Sequence, residues 1–158
     1  MRNVVLFRID DRLIHGQVVT GWLKTTSANK IYIVDDQLKN DTMMKIVLKN
    51  AAPTGTNVFI QSVDECAKAL QKPAKDDEKI IILSKFPDVF EKLIDSGIQI
   101  PTIILGGMGL RDDRKKFYKN IAANDSELCC MQRIISKGTE IIYQLVPDEP
   151  SKNIKSLL

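Results

Sequence analysis

The 158-residue chain predicts a parallel α/β fold, and three observations carry that prediction. Short apolar runs rich in Val and Ile recur from end to end without polar alternation, as strands buried on both faces of a parallel sheet do. Amphipathic stretches with helical spacing separate them. The order, strand then helix repeated, implies right-handed crossovers with helices on both faces of one sheet.

Each element has its own signal. Val4–Phe7 opens the chain as a strand and leads into a charged loop. Val18, Val19, Trp22 and Leu23 then share one helix face, and Lys24 to Asn29 read as a polar connector to the second strand, Ile31–Val34. Met44, Val47, Leu48 and Ala51 form a core-facing stripe that ends before the helix breakers Pro53 and Gly55. After Val58–Ile60, Ser62-Val63-Asp64-Glu65 fits a capping box opening a short helix toward Leu70. The charged stretch Lys72–Lys79, with Pro73, suits a surface loop before the strand Ile80–Leu83. Phe86, Val89, Phe90, Leu93 and Ile94 mark the next helix, and Thr102–Leu105 the next strand. A helix over Ser126–Lys137 stops at Gly138, Ile141–Val146 is the last apolar run, and Pro147–Leu158 reads as a return turn with a short terminal helix or tail. With no internal repeat and no long linker, residues 1–158 read as one domain.

Composition narrows the function. A net charge of +3, with one Trp, three Tyr and five Phe, argues against a nucleic-acid partner. The single His excludes His-cluster zinc sites, and Cys66, Cys129 and Cys130 have no C-x-x-C spacing, so no metal site is expected. No signal-peptide pattern is present, and no apolar run approaches the ~18 residues of a membrane span. A cytoplasmic location is expected.

Ligands of open parallel sheets bind at the carboxyl ends of the strands. The loop after the first strand reads Arg8-Ile9-Asp10-Asp11-Arg12-Leu13-Ile14-His15-Gly16-Gln17, with two Arg, two Asp and the only His in ten residues. His15 falls at or beside a helix N-terminus, where free N–H groups and the positive dipole end favour an anion. A neutral imidazole, with a reference pKa of ~6.5, is a nucleophile near neutral pH. Arg12 is suited to neutralise phosphoryl oxygens, Asp10 or Asp11 to orient the Arg or accept from the imidazole, and Gly16 to let backbone approach a phosphate. By its residues alone the loop is an anion site containing a nucleophile, and a capped surface histidine in a solvated loop is the alternative.

The segment from Arg8 through Val18 resembles the active-site loop of the IIB subunits of the mannose/fructose/sorbose family of bacterial sugar phosphotransferase systems. Similarity extends to Val34-Asp35-Asp36, Ala52-Pro53, Gly106-Gly107-Met108 and Val146-Pro147, hence to nearly the whole chain, as a free-standing subunit without a fused IIA domain. The resemblance implies that His15 takes a phosphoryl group on Nδ1 from a phosphohistidine of IIA. It then passes the group to a hexose or amino sugar held by the membrane subunits IIC and IID, with Arg12 as the phosphoryl-stabilising partner. Arg8, Asp10, Asp11 and Gly16 are the accompanying orienting or phosphate-binding candidates. The fold it implies is three-layered, a mostly parallel seven-stranded sheet with one antiparallel strand. It implies no cofactor, contact with the membrane only through partners, and compatibility with a homo-oligomer.

Other features carry alternatives. Asp35 and Asp36 read as helix N-terminal acids, and Gly106 to Gly109 as either N–H donors to a phosphate or a tight turn. Arg111 to Lys116 read as a solvated loop, or with Arg8 and Arg12 as a basic docking face. One of Cys129 and Cys130 is expected to face the core. Asp10 and Asp11 also resemble the metal-binding acids of a phosphorylation-controlled receiver. Such a module needs an acceptor Asp ending the third strand, where Gln61 stands, and a Lys closing the fifth, where Leu105-Gly106-Gly107 stands. A non-catalytic ligand-binding module is the remaining alternative.

Overall fold

The computed structural model describes residues 1–158, the side chain of Gln17 excepted. Its strands are β1 (Val4–Asp10), β2 (Lys30–Val34), β3 (Asn57–Gln61), β4 (Ile80–Ser84), β5 (Thr102–Gly107), β6 (Lys115–Tyr118), β7 (Ile121–Ala123), β8 (Glu140–Tyr143) and β9 (Lys152–Asn153). The helices are α1 (Gly16–Thr26), α2 (Thr42–Ala51), α3 (Val63–Leu70), α4 (Pro87–Asp95) and α5 (Asp125–Ser136). Seven strands form one sheet in the order β3-β2-β4-β1-β5-β8-β9, parallel throughout except for the antiparallel β8–β9 pair. β6 and β7 make a separate antiparallel hairpin.

Side chains alternate across the sheet. Leu6 of β1, Ile31 and Ile33 of β2, and Ile81 and Leu83 of β4 pack with Val18, Val19, Trp22 and Leu23 of α1 and Leu48 of α2. Phe7 and Ile9, Tyr32 and Val34, and Ile80 and Ile82 face the other way, against Cys66 and Leu70 of α3, Phe90 and Leu93 of α4, and Met131 and Ile134 of α5. The expected three layers are present. The capping box at Ser62 and Glu65 also forms as read, and a second one, Asn124 with Glu127, opens α5.

Four sequence expectations need correction. β1 continues past Phe7 to Asp10, because as a central strand it keeps neighbours on both sides, pairing Arg8 with Leu83 and Ile104. α1 runs to Thr26 through the expected connector; the Thr26 hydroxyl donates to the Trp22 carbonyl at 2.7 Å and Ser27 ends the helix in the left-handed region. In α2 only Leu48 of the predicted stripe is buried, while Val47 is exposed beside Met43 and Ile46. A helix over the edge strand has packed neighbours on one flank only. Finally, Lys115 and Lys116 belong to β6 rather than to a loop. Two exposed lysines followed by Phe117 and Tyr118 carry no strand alternation.

The surface loop Lys72–Lys79 conceals one buried acid. Glu78 accepts from Arg2 Nε at 2.6 Å and from Lys30 Nζ at 2.7 Å, while the Arg2 guanidinium also donates to the Tyr32 hydroxyl at 3.3 Å. Hydrogen bonding from Arg2 foremost, then Lys30, outweighs burial and holds the Glu78 carboxyl down to about 2. An unfolded Glu titrates near ~4.3, so this three-residue cluster stabilises the fold above that pH and the contribution fades as pH falls from about 4 toward 2. At neutral pH it is on the order of 2–3 kcal/mol. Thermal melts of wild type and Glu78→Gln from pH 7 to pH 3 should show a Tm gap that narrows below about pH 4. A gap constant over that range would assign the loss to packing instead.

Candidate functional site

β1 lies between β4 and β5, and the chain leaves β1 toward one side of the sheet and later crosses from β4 to β5 on the other. The carboxyl end of β1 is therefore the switch point of the sheet. Asp10, its last residue, is fully buried there and pairs with Gly107 of β5.

Two arginines share the Asp10 carboxylate. Arg12 donates from Nε to Oδ1 and from Nη2 to Oδ2, both at 2.9 Å, and its backbone N–H adds a third bond at 3.1 Å. Arg8 approaches from inside, Nη2 to Oδ2 at 3.1 Å. It is buried, lies over the Trp22 ring at 5.3 Å, and spends its other donors on the Gln144 and Leu145 carbonyls at 2.9 Å each. Trp22 donates to the same Leu145 carbonyl. Burial lowers the Arg8 pKa despite Asp10, whereas the Asp10 hydrogen bond raises that of Arg12. Both remain cations. Two positive charges against one negative leave a surplus at the outer member, Arg12, whose side chain is 35% exposed. Asp10 holds its Nε–Nη2 edge, so the guanidinium is oriented before any anion arrives.

This arrangement explains the double glycine, which no local pattern accounts for. Gly106 and Gly107 are not a turn; they end β5, and the Gly109 N–H beyond them is taken by Asp11. A Cβ on Gly106 would run into the Arg8 guanidinium, and one on Gly107 would lie 2.9 Å from Asp10 Oδ1 and 3.0 Å from Arg12 Nη2.

Asp11 turns away from this cluster. Its Oδ2 accepts from the Gly109 N–H at 2.6 Å and from Arg114 Nη1 at 3.4 Å. Arg114 is itself buried, bidentate to Glu127 at 2.9 and 2.7 Å. The expected basic face is thus corrected: Arg8 and Arg114 are interior residues, consumed by Asp10, Asp11 and Glu127. No local pattern distinguishes such arginines from solvated ones.

The loop then delivers His15 to the surface. Leu13 and Ile14 bury their side chains, and Leu13 takes a φ of 58°, a left-handed conformation that costs roughly 1 kcal/mol outside glycine. The Leu13 N–H donates to the Asp10 carbonyl at 3.0 Å. His15 follows, exposed and extended, as the N-cap residue of α1, and its side chain makes no capping bond. Gly16 has a φ of 43° with nothing within 4 Å of a built Cβ, so backbone conformation demands the glycine and the space above it is open. The structure therefore gathers Arg8, Asp10 and Arg12, carries His15 and Gly16 at the N-terminus of α1 three and four residues after Arg12, and sends Asp11 to a separate support.

Asp35 and Asp36 are helix N-terminal acids, as read. Asp35 accepts from the Gln37 and Leu38 N–H groups at 2.9 Å each, and Asp36 from that of Val63 at the start of α3. Cys129 is exposed and Cys130 buried. Burial, with Glu91 beside it, pushes the Cys130 thiol up to about 12, and burial does the same to Cys66. Neither thiol supplies thiolate at neutral pH.

The family described as PTS system sorbose subfamily IIB component matches residues 4–158. The chain belongs to this family of phosphotransferase-system IIB components. It is 30% identical to the fructose-specific EIIB component of Bacillus subtilis, over all of this chain and 97% of that one. It is 29% identical to the mannose-specific EIIAB component of Escherichia coli, over 97% of this chain and 47% of that longer one. The crystal structure of the IIBSor domain of the sorbose permease from Klebsiella pneumoniae superposes with a TM-score of 0.92 at 32% identity, covering 98% of this chain and 94% of that one. A IIB component is a phosphotransferase that works in sugar uptake, so the receiver and ligand-binding alternatives fall. In the system a IIB component works with IIA and with the membrane components; among the described residues no helix is long and apolar enough to cross a membrane.

Proposed function

We propose that His15 is the phosphoryl carrier of this IIB component. Its donor is a phosphohistidine of IIA and its acceptor a hexose or amino sugar bound by IIC and IID on the cytoplasmic side of the membrane. The observation that supports this most directly is the exposed imidazole at the α1 N-terminus, three residues after an Arg12 already oriented by a buried carboxylate. Residues 1–158 act as one carrier domain in this reading.

In the first step a ring nitrogen of neutral His15 attacks phosphorus. The new N–P bond forms as the donor's N–P bond breaks and its nitrogen recovers the electron pair. In the second, a sugar hydroxyl attacks, the His15 N–P bond breaks, and the hydroxyl proton passes to the ring nitrogen released. The transition states are loose, with charge on the equatorial oxygens, so rate comes from positioning and charge stabilisation. Arg12 meets those oxygens with donors that need no reorganisation. Asp10 and Arg8 are positioning residues that act through Arg12, and Gly16 lets the first turn of α1 begin directly after His15.

The test is sugar phosphate formation. Phosphorylated protein incubated with free sugar should transfer nothing, and should form sugar phosphate once membranes carrying IIC and IID are added. Turnover from ATP and sugar with this protein alone would overturn the carrier reading.

A further inference from the structure

We propose that the loop between β5 and β6, residues 109–113, is a preformed docking element for the phosphoryl-donor protein, with Leu110 as its apolar contact. This inference rests on the reading of His15 as phosphoryl acceptor.

Leu110 is 75% exposed. A single exposed leucine needs no explanation by itself. What surrounds this one does. Immediately before it, the Gly109 N–H is tied to Asp11 at 2.6 Å and the Gly109 carbonyl accepts from Arg114 Nη1 at 3.0 Å. Immediately after it, the Arg111 carbonyl accepts from the Arg114 N–H at 3.0 Å. Arg114 is immobilised in turn by Glu127 of α5 and lies over the Phe86 ring, against which the exposed Arg111 also packs. Arg114 thus fixes the backbone on both sides of a side chain that touches water, through its guanidinium at Gly109 and through its own N–H at Arg111.

The far end of that clamp is Asp11, which sits in sequence between Asp10 and Arg12. Leu110 is therefore held in a set position relative to the loop that presents Arg12 and His15. The same segment also borders Arg12, since a Cβ on Gly107, three residues before Leu110, would lie 3.0 Å from Arg12 Nη2. A rigid apolar contact loses little conformational freedom on association, which suits a complex that must form quickly and part again. The partner it fits is a protein with an apolar depression beside its own phosphohistidine.

The experiment compares two donors. Phosphorylation of wild type, Leu110→Ser and Leu110→Met is measured against the concentration of phosphorylated IIA, and in parallel with phosphoramidate, a small donor with no protein surface. With IIA, Leu110→Ser should raise KM about ten-fold at nearly unchanged kcat, and Leu110→Met should restore most of it. With phosphoramidate the three proteins should react alike. An unchanged KM, or a phosphoramidate rate that falls in step with the IIA rate, overturns the docking role. A loss confined to sugar phosphate formation at membranes assigns the loop to the acceptor and also overturns it. If wild type accepts from neither donor, the His15 reading itself has failed.

Discussion

His15→Gln is expected to abolish phosphoryl transfer completely while leaving the fold intact. In the proposed reading the imidazole of the single histidine is the nucleophile, and glutamine keeps the polarity and approximate length without it. Because the side chain is exposed and makes no capping bond, its removal should cost no more than about 0.5 kcal/mol, a Tm shift of roughly 1–2 °C at this chain length. The measurement is incorporation of one acid-labile, base-stable phosphoryl group from phosphorylated IIA, alongside a thermal melt. Acceptance of phosphate by the variant, or an acyl phosphate on Asp10 or Asp11, would sink the assignment.

Asp10→Ala should have the largest effect on stability. The carboxylate is fully buried and accepts from Arg8, from the Arg12 side chain and from the Arg12 backbone. Without it, the buried Arg8 keeps its two carbonyl partners but loses its counter-charge. Breaking a buried pair in this way costs about 3–5 kcal/mol, a Tm loss of roughly 10 °C or more. Arg12→Ala differs in kind, since Asp10 still has Arg8 and the deleted side chain is one-third exposed. Its expected cost to stability is about 1 kcal/mol, against a loss of about 100-fold or more in the rate of His15 phosphorylation. Arg12→Lys should recover only part of that rate, because an ammonium cannot present a planar pair of donors. Paired melts and phosphorylation rates check all three variants. Equal losses in melt and rate for Arg12→Ala would make that residue structural.

Legibility varied with how local the deciding interactions were. The inner strands were readable because burial on both faces demands unbroken Val and Ile, and α3 because its capping box is contained within Ser62 to Glu65. The equivalent box at Asn124 and Glu127 was present in the sequence and marks the start of α5 more accurately than Ser126 does. α2 misled, because its stripe satisfies helical spacing whether or not anything lies on the far side. The hairpin is not legible, because a strand of four residues with two lysines leaves no periodic trace.

The sequence by itself determined the parallel α/β class, the charged loop at the carboxyl end of the first strand, and the place of His15 at a helix N-terminus. All of these follow from contacts within a few residues or from the repeated burial of whole strands. Only the tertiary structure decided which charges face water. Arg8 is interior because carbonyls 136 and 137 residues away receive it, and Arg114 because Asp11 and Glu127 close around it. Gly106 and Gly107 are glycines because guanidinium groups from another strand and its loop pass over them. A charged side chain reads the same in sequence whether solvated or paired, and its partner is brought to it only by the fold.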